Sequence, residues 1–314
     1  MNFFSEYKSS LKAVEVEEIF DLLIYRPLAF IFVKATYSIN IKPDQVSVAA
    51  MFLGSAAGVL FGFGTLTSVV FGAALYFTSN ILDCADGQIA RLKKNGTKVG
   101  RIVDGFIDYI VSVFVFFGIA FGLIQQYSVH ETSLYGNSAF HLDPYLYIWI
   151  ISILGGISSA IQAFYFDFYR NKFLEVVYNK ASSVIDQIKE FEEEKRKFEE
   201  DPAYANFMEK LLINVYLKYS NLQLNIQKDQ EKNTFRQKPD SELYYKKNRF
   251  LLRMWSYMGS TTHITICVIF AFANNLEAFL LFCILPLNLL MLILYFTQRK
   301  VNNNLTRAEN EKVL

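Results

Sequence analysis

Six apolar runs, at roughly 45–64, 66–82, 102–124, 145–166, 254–273 and 276–298, set the terms for what this chain can fold into. Each comes near the about 20 residues that a helix needs to cross a bilayer. The expectation is an all-α integral membrane protein with six transmembrane helices. Of the 314 residues 53% are hydrophobic, and these runs concentrate them.

Charge gives the orientation, because lysine and arginine near helix ends stay on the cytoplasmic side. The connections near 62–66, 125–144 and 273–278 carry neither. All 31 lie in the amino-terminal segment, the 91–101 turn, the 170–253 stretch or the carboxyl tail. A multi-pass protein of the cytoplasmic (inner) membrane is expected, with both termini facing the cytoplasm. Residues 1–20 are amphipathic and charged, without the apolar core of a cleavable signal peptide. Cys84, Cys267 and Cys283 fall in the membrane segments without metal-ligand spacing and read as packing residues. Nucleic acid binding has no support at a net charge of +1.

Five segments follow from this reading. In residues 1–42 acids and bases alternate with Ile, Leu and Phe, and Arg26 and Lys34 interrupt any crossing, so an interfacial helix is expected. Residues 43–169 hold four membrane helices, the first opened by Pro43. Residues 170–253 form a cytoplasmic helical insert with 17 basic and 14 acidic residues, at most a mild attraction to anionic headgroups. Within it "DQIKEFEEEKRKFEEDP" reads as a solvated helix stopped at Asp201 and Pro202, and "FMEKLLINVYLKYSNLQLNI" as a second, amphipathic one. Residues 254–301 supply the last two membrane helices, and 302–314 a cytoplasmic tail.

The chemistry concentrates in "ILDCADGQIARLKKNGTKVGRIVDGFIDYI", residues 81–110. On a helix Asp83, Asp86, Gly87 and Ala90 share one stripe, and Gly100, Asp104 and Asp108 share another. The short "LKKNG" connection makes the two helices antiparallel neighbours, so the stripes could face each other. Each aspartate at membrane depth costs about 2.5–3.5 kcal/mol, and four together repel. Hard divalent cations such as Mg²⁺, Mn²⁺ or Ca²⁺ resolve this, since they prefer carboxylate oxygens. Two ions in a bridged site suit phosphoryl chemistry. Gly87, Ala90, Gly100 and Gly105 serve either close helix packing or a cleft for a nucleotide.

The segment resembles the CDP-alcohol phosphatidyltransferases, whose motif DxxDGxxAR, eight residues, GxxxDxxxD is matched at Asp83, Asp86, Gly87, Ala90, Arg91, Gly100, Asp104 and Asp108. The family is similar also in its six membrane helices, its amphipathic amino-terminal helix and a "PNxVT"-like turn before the first span. Here that turn reads "PDQVS", with Asp44 and Ser47 departing from the pattern. The resemblance implies transfer of a substituted phosphoryl group from a CDP-linked lipid donor, usually CDP-diacylglycerol, to an acceptor alcohol, with release of CMP. By position, Asp83, Asp86, Asp104 and Asp108 would hold two divalent cations, Mg²⁺ or Mn²⁺, and Asp108 would also act as general base. Asp83, Gly87, Ala90, Arg91 and Gly100 would line the nucleotide site. A homodimer is implied in the same way.

For a small alcohol or sugar-phosphate acceptor, the candidates are Lys98, Arg101, Arg170, Arg253, Ser260 and His263, with Arg249 and Asp167 nearby. Positive-inside anchoring explains the bases without any substrate, and helix-to-helix hydrogen bonding explains Ser260 and His263. The arrangement "RPLAFIFVKATYSINIKPDQVS" followed by "DGQIARL" looks somewhat like the inositol-phosphate-using branch. A CDP-choline- or ethanolamine-type transferase acting on diacylglycerol stays open. So, outside the family, does an ion-coupled transporter using the carboxylate cluster; it leaves Arg91 and the interleaved glycines unexplained, and helices four and six offer few polar residues for a path.

Overall fold

The computed structural model describes residues 3–11, 14–37, 39, 41–93, 98–129, 143–178, 182–200, 210–211, 213–218, 220–222, 224 and 240–313. Among them every regular element is helical. After α1 (Phe3–Ser10) the chain passes through turns into a π-helical turn, Asp21–Tyr25, that leads into α2 (Arg26–Thr36). The long helices are α3 (Pro43–Gly62), α4 (Leu66–Lys93), α5 (Lys98–Val129) and α6 (Pro144–Tyr178). The later ones are α7 (Ser182–Glu200), α8 (Ser241–Trp255), α9 (Ser260–Phe272), α10 (Leu276–Ile284) and α11 (Pro286–Val313).

Five stretches are long and apolar enough to cross a membrane: Pro43–Gly62, Leu66–Lys93, Ile107–Ser128, Pro144–Tyr178 and Leu276–Leu305. The expected span at 254–273 is different. It breaks at a 3-10 turn, Ser256–Met258, and at the extended Gly259, which leaves α9 with 13 residues. The span expected at 276–298 is likewise two helices, α10 and α11, with Pro286 at the break, where the missing N–H cannot continue the ladder.

Sequence explains how the first two spans are joined. Pro43 stands in the first turn of α3, and Gln45 Oε1 accepts from the Lys42 backbone N–H at 3.1 Å. At the far end Gly64 turns the chain with φ +66°, a left-handed position natural to glycine after a helix. α3 then packs along both α4 and α5, and these two scarcely pack along each other among the described residues. The expectation of α4 and α5 as direct neighbours is corrected here. Glycines are the reason: a Cβ on Gly118 of α5 would overlap the Gly58 backbone of α3, and one on Gly122 would overlap the Phe61 carbonyl. With backbones this close, α3 becomes the shared wall for both helices.

The amino-terminal segment, expected as an interfacial helix, is made of α1, the π-helical turn and α2, and Glu17, Glu18, Asp21 and Arg26 in it are buried. Ala29 and Val33 of α2 pack with Val46 of α3 and with Cys84, Ala85 and Ile89 of α4 in a small core of their own. In the insert, α7 covers Ser182–Glu200 and Phe191 meets Tyr216 edge-on at 4.8 Å, while the expected stop at Asp201 and Pro202 lies outside the described residues.

Candidate active site

α4 carries the first half of the acidic motif. Asp86 is 3% exposed, and its Oδ2 accepts a hydrogen bond from Ser47 Oγ in the first turn of α3. A buried carboxylate needs such a partner. The departing residue of the "PDQVS" turn therefore bears on the acid itself. Asp83, one turn earlier, is half-buried. Asp108 is exposed on α5 and lies within electrostatic reach of Tyr76 on α4. The backbones of Lys98, Gly100, Arg101, Asp104 and Gly105 are in α5; their side chains lie outside the described residues.

Gly87 and Arg91 are coupled. A Cβ on Gly87 would come within 3.3 Å of the Arg91 guanidinium, so the glycine makes room for an arginine folded back along its own helix. Arg91 Nε donates to the Ser10 carbonyl, and Nη2 is buried without a hydrogen-bond partner among the described residues. That orphaned donor suits an anion. Ala90, on the same stripe, is half-buried.

Of the expected acceptor residues, Arg170 pairs with Asp167 Oδ1 at 2.7 Å and stands over the Phe166 ring. Arg253 donates to the backbone carbonyls of Glu17 at 3.1 Å and Val14 at 2.9 Å. Ser260 is exposed at the start of α9. His263 is buried, 2.7 Å from the Gly259 carbonyl and 2.7 Å from Gln162 Oε1. Gln162 Nε2 in turn donates to Asn288 Oδ1 and the Cys283 carbonyl, so α6 and the last span do carry polar residues. Gln162, His263, Asn288 and the Cys283 carbonyl satisfy one another across α6, α9, α10 and α11, as helix-binding hydrogen bonds do.

Sequence reading missed a second polar cluster beside α4. Asp21 Oδ1 accepts from Cys84 Sγ at 3.5 Å and from Thr261 Oγ1 at 3.0 Å. Glu18 Oε2 accepts from the Thr262 backbone N–H at the start of α9, 3.2 Å away. Burial, and then the neighbouring Asp21 carboxylate, pushes Glu18 well above the usual carboxylate range. Burial pushes Asp21 up as well, against the pull of Arg26. Charged residues among apolar ones at helical spacing read as an interfacial helix. A hint in the sequence was four acids, Glu15, Glu17, Glu18 and Asp21, crowded before Arg26.

Residues 40–169 match the family model for CDP-alcohol phosphatidyltransferase. The match runs from just before α3 to near the end of α6 and takes in the Ser47 turn and the whole acidic motif. The chain is also similar to the bifunctional IPC transferase and DIPP synthase of Thermococcus kodakarensis, 26% identical over 139 residues. That stretch is 44% of this chain and 28% of the length of the curated relative. The amino-terminal cluster of Glu17, Glu18, Asp21 and Arg26 lies outside the part that matches the family model of the phosphatidyltransferase domain.

Proposed function

We propose that this chain transfers a phosphatidyl group from a CDP-linked donor, CDP-diacylglycerol in the first instance, to the hydroxyl of an acceptor alcohol and releases CMP. The observation that carries the reading is the intact acidic motif inside the matched domain, with Asp86 buried and held by Ser47. The donor set is all carboxylate, which fits hard divalent ions in type. Among the described residues no three His, Cys, Asp or Glu side chains converge on one ion, and the Asp104 side chain is not among them. Asp83, Asp86, Asp104 and Asp108 would hold two divalent cations, Mg²⁺ or Mn²⁺, whose charge neutralises the phosphate oxygens of the bound donor.

In this reading the acceptor oxygen attacks the phosphorus that carries the lipid, and the bond from that phosphorus to the CMP oxygen breaks. Asp108 takes the acceptor proton as the attack proceeds. Arg91 pairs with a phosphate through its unpartnered Nη2. Gly87 keeps Arg91 folded back, and Ala90 and Gly100 leave room for the nucleotide. Arg170 and Arg253 are already engaged, so Lys98 and Arg101 become the first candidates for a phosphorylated acceptor of the inositol-phosphate kind. The active site would face the cytoplasm, in a protein that works as a homodimer.

Purified protein in detergent, given CDP-diacylglycerol and a panel of acceptors, should release CMP only with Mg²⁺ or Mn²⁺ present and should stop on chelation. Asp108→Asn should lower kcat by about 10²–10⁴-fold. Undiminished turnover would remove Asp108 from the base role, and no CMP with any acceptor would overturn the reading.

A further inference from the structure

We propose that residues 10–11 and 14–26 form a positioning strap that sets the rotation of α4 and so aims Asp83 and Asp86; this rests on the reading of those acids as metal ligands. The strap grips α4 at three places. Cys84 Sγ donates to Asp21, Gln88 Nε2 donates to the Arg26 carbonyl at 3.0 Å, and Arg91 Nε donates to the Ser10 carbonyl. Positions 84, 88 and 91 follow i, i+4, i+7 spacing and share one face of the helix. At about 100° per residue, Asp83 and Ala90 lie about 110–130° round from that face and Asp86 about 165°, nearly opposite it. A turn of α4 that broke the grip would swing both acids away.

The other side of the strap is anchored to a different part of the bundle. Asp21 and Glu18 bind the first turn of α9 through Thr261 and Thr262, and Arg253 of α8 holds the strap's backbone. Arg26 ties the strap to itself, its Nη2 donating to Glu17 at 2.9 Å while its carbonyl receives Gln88. Apolar packing through Ala29 and Val33 would suffice to hold a helix here, since it has no preferred angle. Four buried ionisable residues, each under 9% exposed, cost solvation and bring directional bonds instead. Such bonds fix one setting, which is what the aim of a carboxylate pair requires.

The test compares Gln88→Met, which loses the donor to Arg26, with Asp21→Ala and with Asp21→Asn, which keeps an Oδ1 acceptor. Mn²⁺ binding to each purified protein is read from the spectrum of free Mn²⁺ by electron paramagnetic resonance, beside Tm. Q88M and D21A should weaken Mn²⁺ binding on the order of tenfold, with D21N near wild type. Wild-type Mn²⁺ affinity in Q88M overturns the strap, as does any loss in D21N equal to that in D21A. Should D21A fail to fold, Q88M against D21N still decides. Wild-type protein that binds no Mn²⁺ sinks the strap too, whereas Mn²⁺ binding that follows this pattern without CMP release would leave the strap standing and remove the transferase reading.

Discussion

The hydroxyl of Ser47 does more for the site than its place outside the acidic motif suggests. It is the donor to a carboxylate that is 3% exposed, and removing a partner from a buried charged group costs about 1–3 kcal/mol or more. Ser47→Ala should therefore cut metal-dependent CMP release by about tenfold, with most of the loss recovered in Ser47→Thr; full activity in the alanine variant would show the bond to be incidental. Glu18 gives a prediction of a different kind. Its folded-state pKa is raised, so the native protein binds its proton more tightly than the unfolded chain does. That contribution is fully present below the ordinary carboxylate pKa and is lost as pH rises through the raised one. Tm in detergent should fall from about pH 4 upward, and Glu18→Gln, which still accepts from Thr262, should flatten part of that slope. Asp21, shifted the same way, keeps the remainder, while Arg170 opposes the rise at Glu18. An unchanged slope in the variant would mean that Glu18 is not the group that titrates. Only half of this was legible. The motif names the four acids, but Ser47 reaches Asp86 across 39 positions, and no local pattern announces a contact of that range.

Helices were legible where hydropathy and local punctuation agree. Pro43 and Gly64 bound α3 as their chemistry demands. α4 runs on past the apolar stretch to Lys93 because its polar end is still helical in pattern. Gly259 looked tolerable inside a span, and its break depends on a distant residue: a Cβ there would overlap the Glu18 carboxyl that caps α9. The glycines at 54, 58 and 62 were readable and went unread. They repeat every fourth residue in an apolar helix, a known signal for close approach, and Gly118 and Gly122 answer them from α5. Gly118→Ala should lower stability by about 1–3 kcal/mol, as overpacking does, and more if the α3 backbone cannot shift. Thermal unfolding against Val113→Ala, a change on the outer surface of the same helix at a residue that is 56% exposed, is the comparison; equal Tm values would mean that the crossing is looser than the contact implies.

At the scale of the molecule, the sequence conveyed the all-helical membrane architecture and where the acids sit along it. It could not convey that α3 packs along both α4 and α5, since apolar runs of similar composition do not say which packs on which. Nor could it separate a strap from a surface helix, because the same alternation of charge and oil suits both. One further consequence follows from the 13 residues of α9. At 1.5 Å per residue it is about 20 Å tall, against a hydrocarbon layer of about 30 Å. The bundle thus presents walls of unequal height to its lipid, with the shortfall on the side where Glu18 and Asp21 close the start of α9. Acyl chains beside that wall meet a shorter apolar surface than those beside α4, and the bilayer adapts to such mismatch by thinning. Thinning of that kind would draw headgroups and water down along one flank of the protein, so that the surrounding membrane would set part of the depth of its polar chemistry.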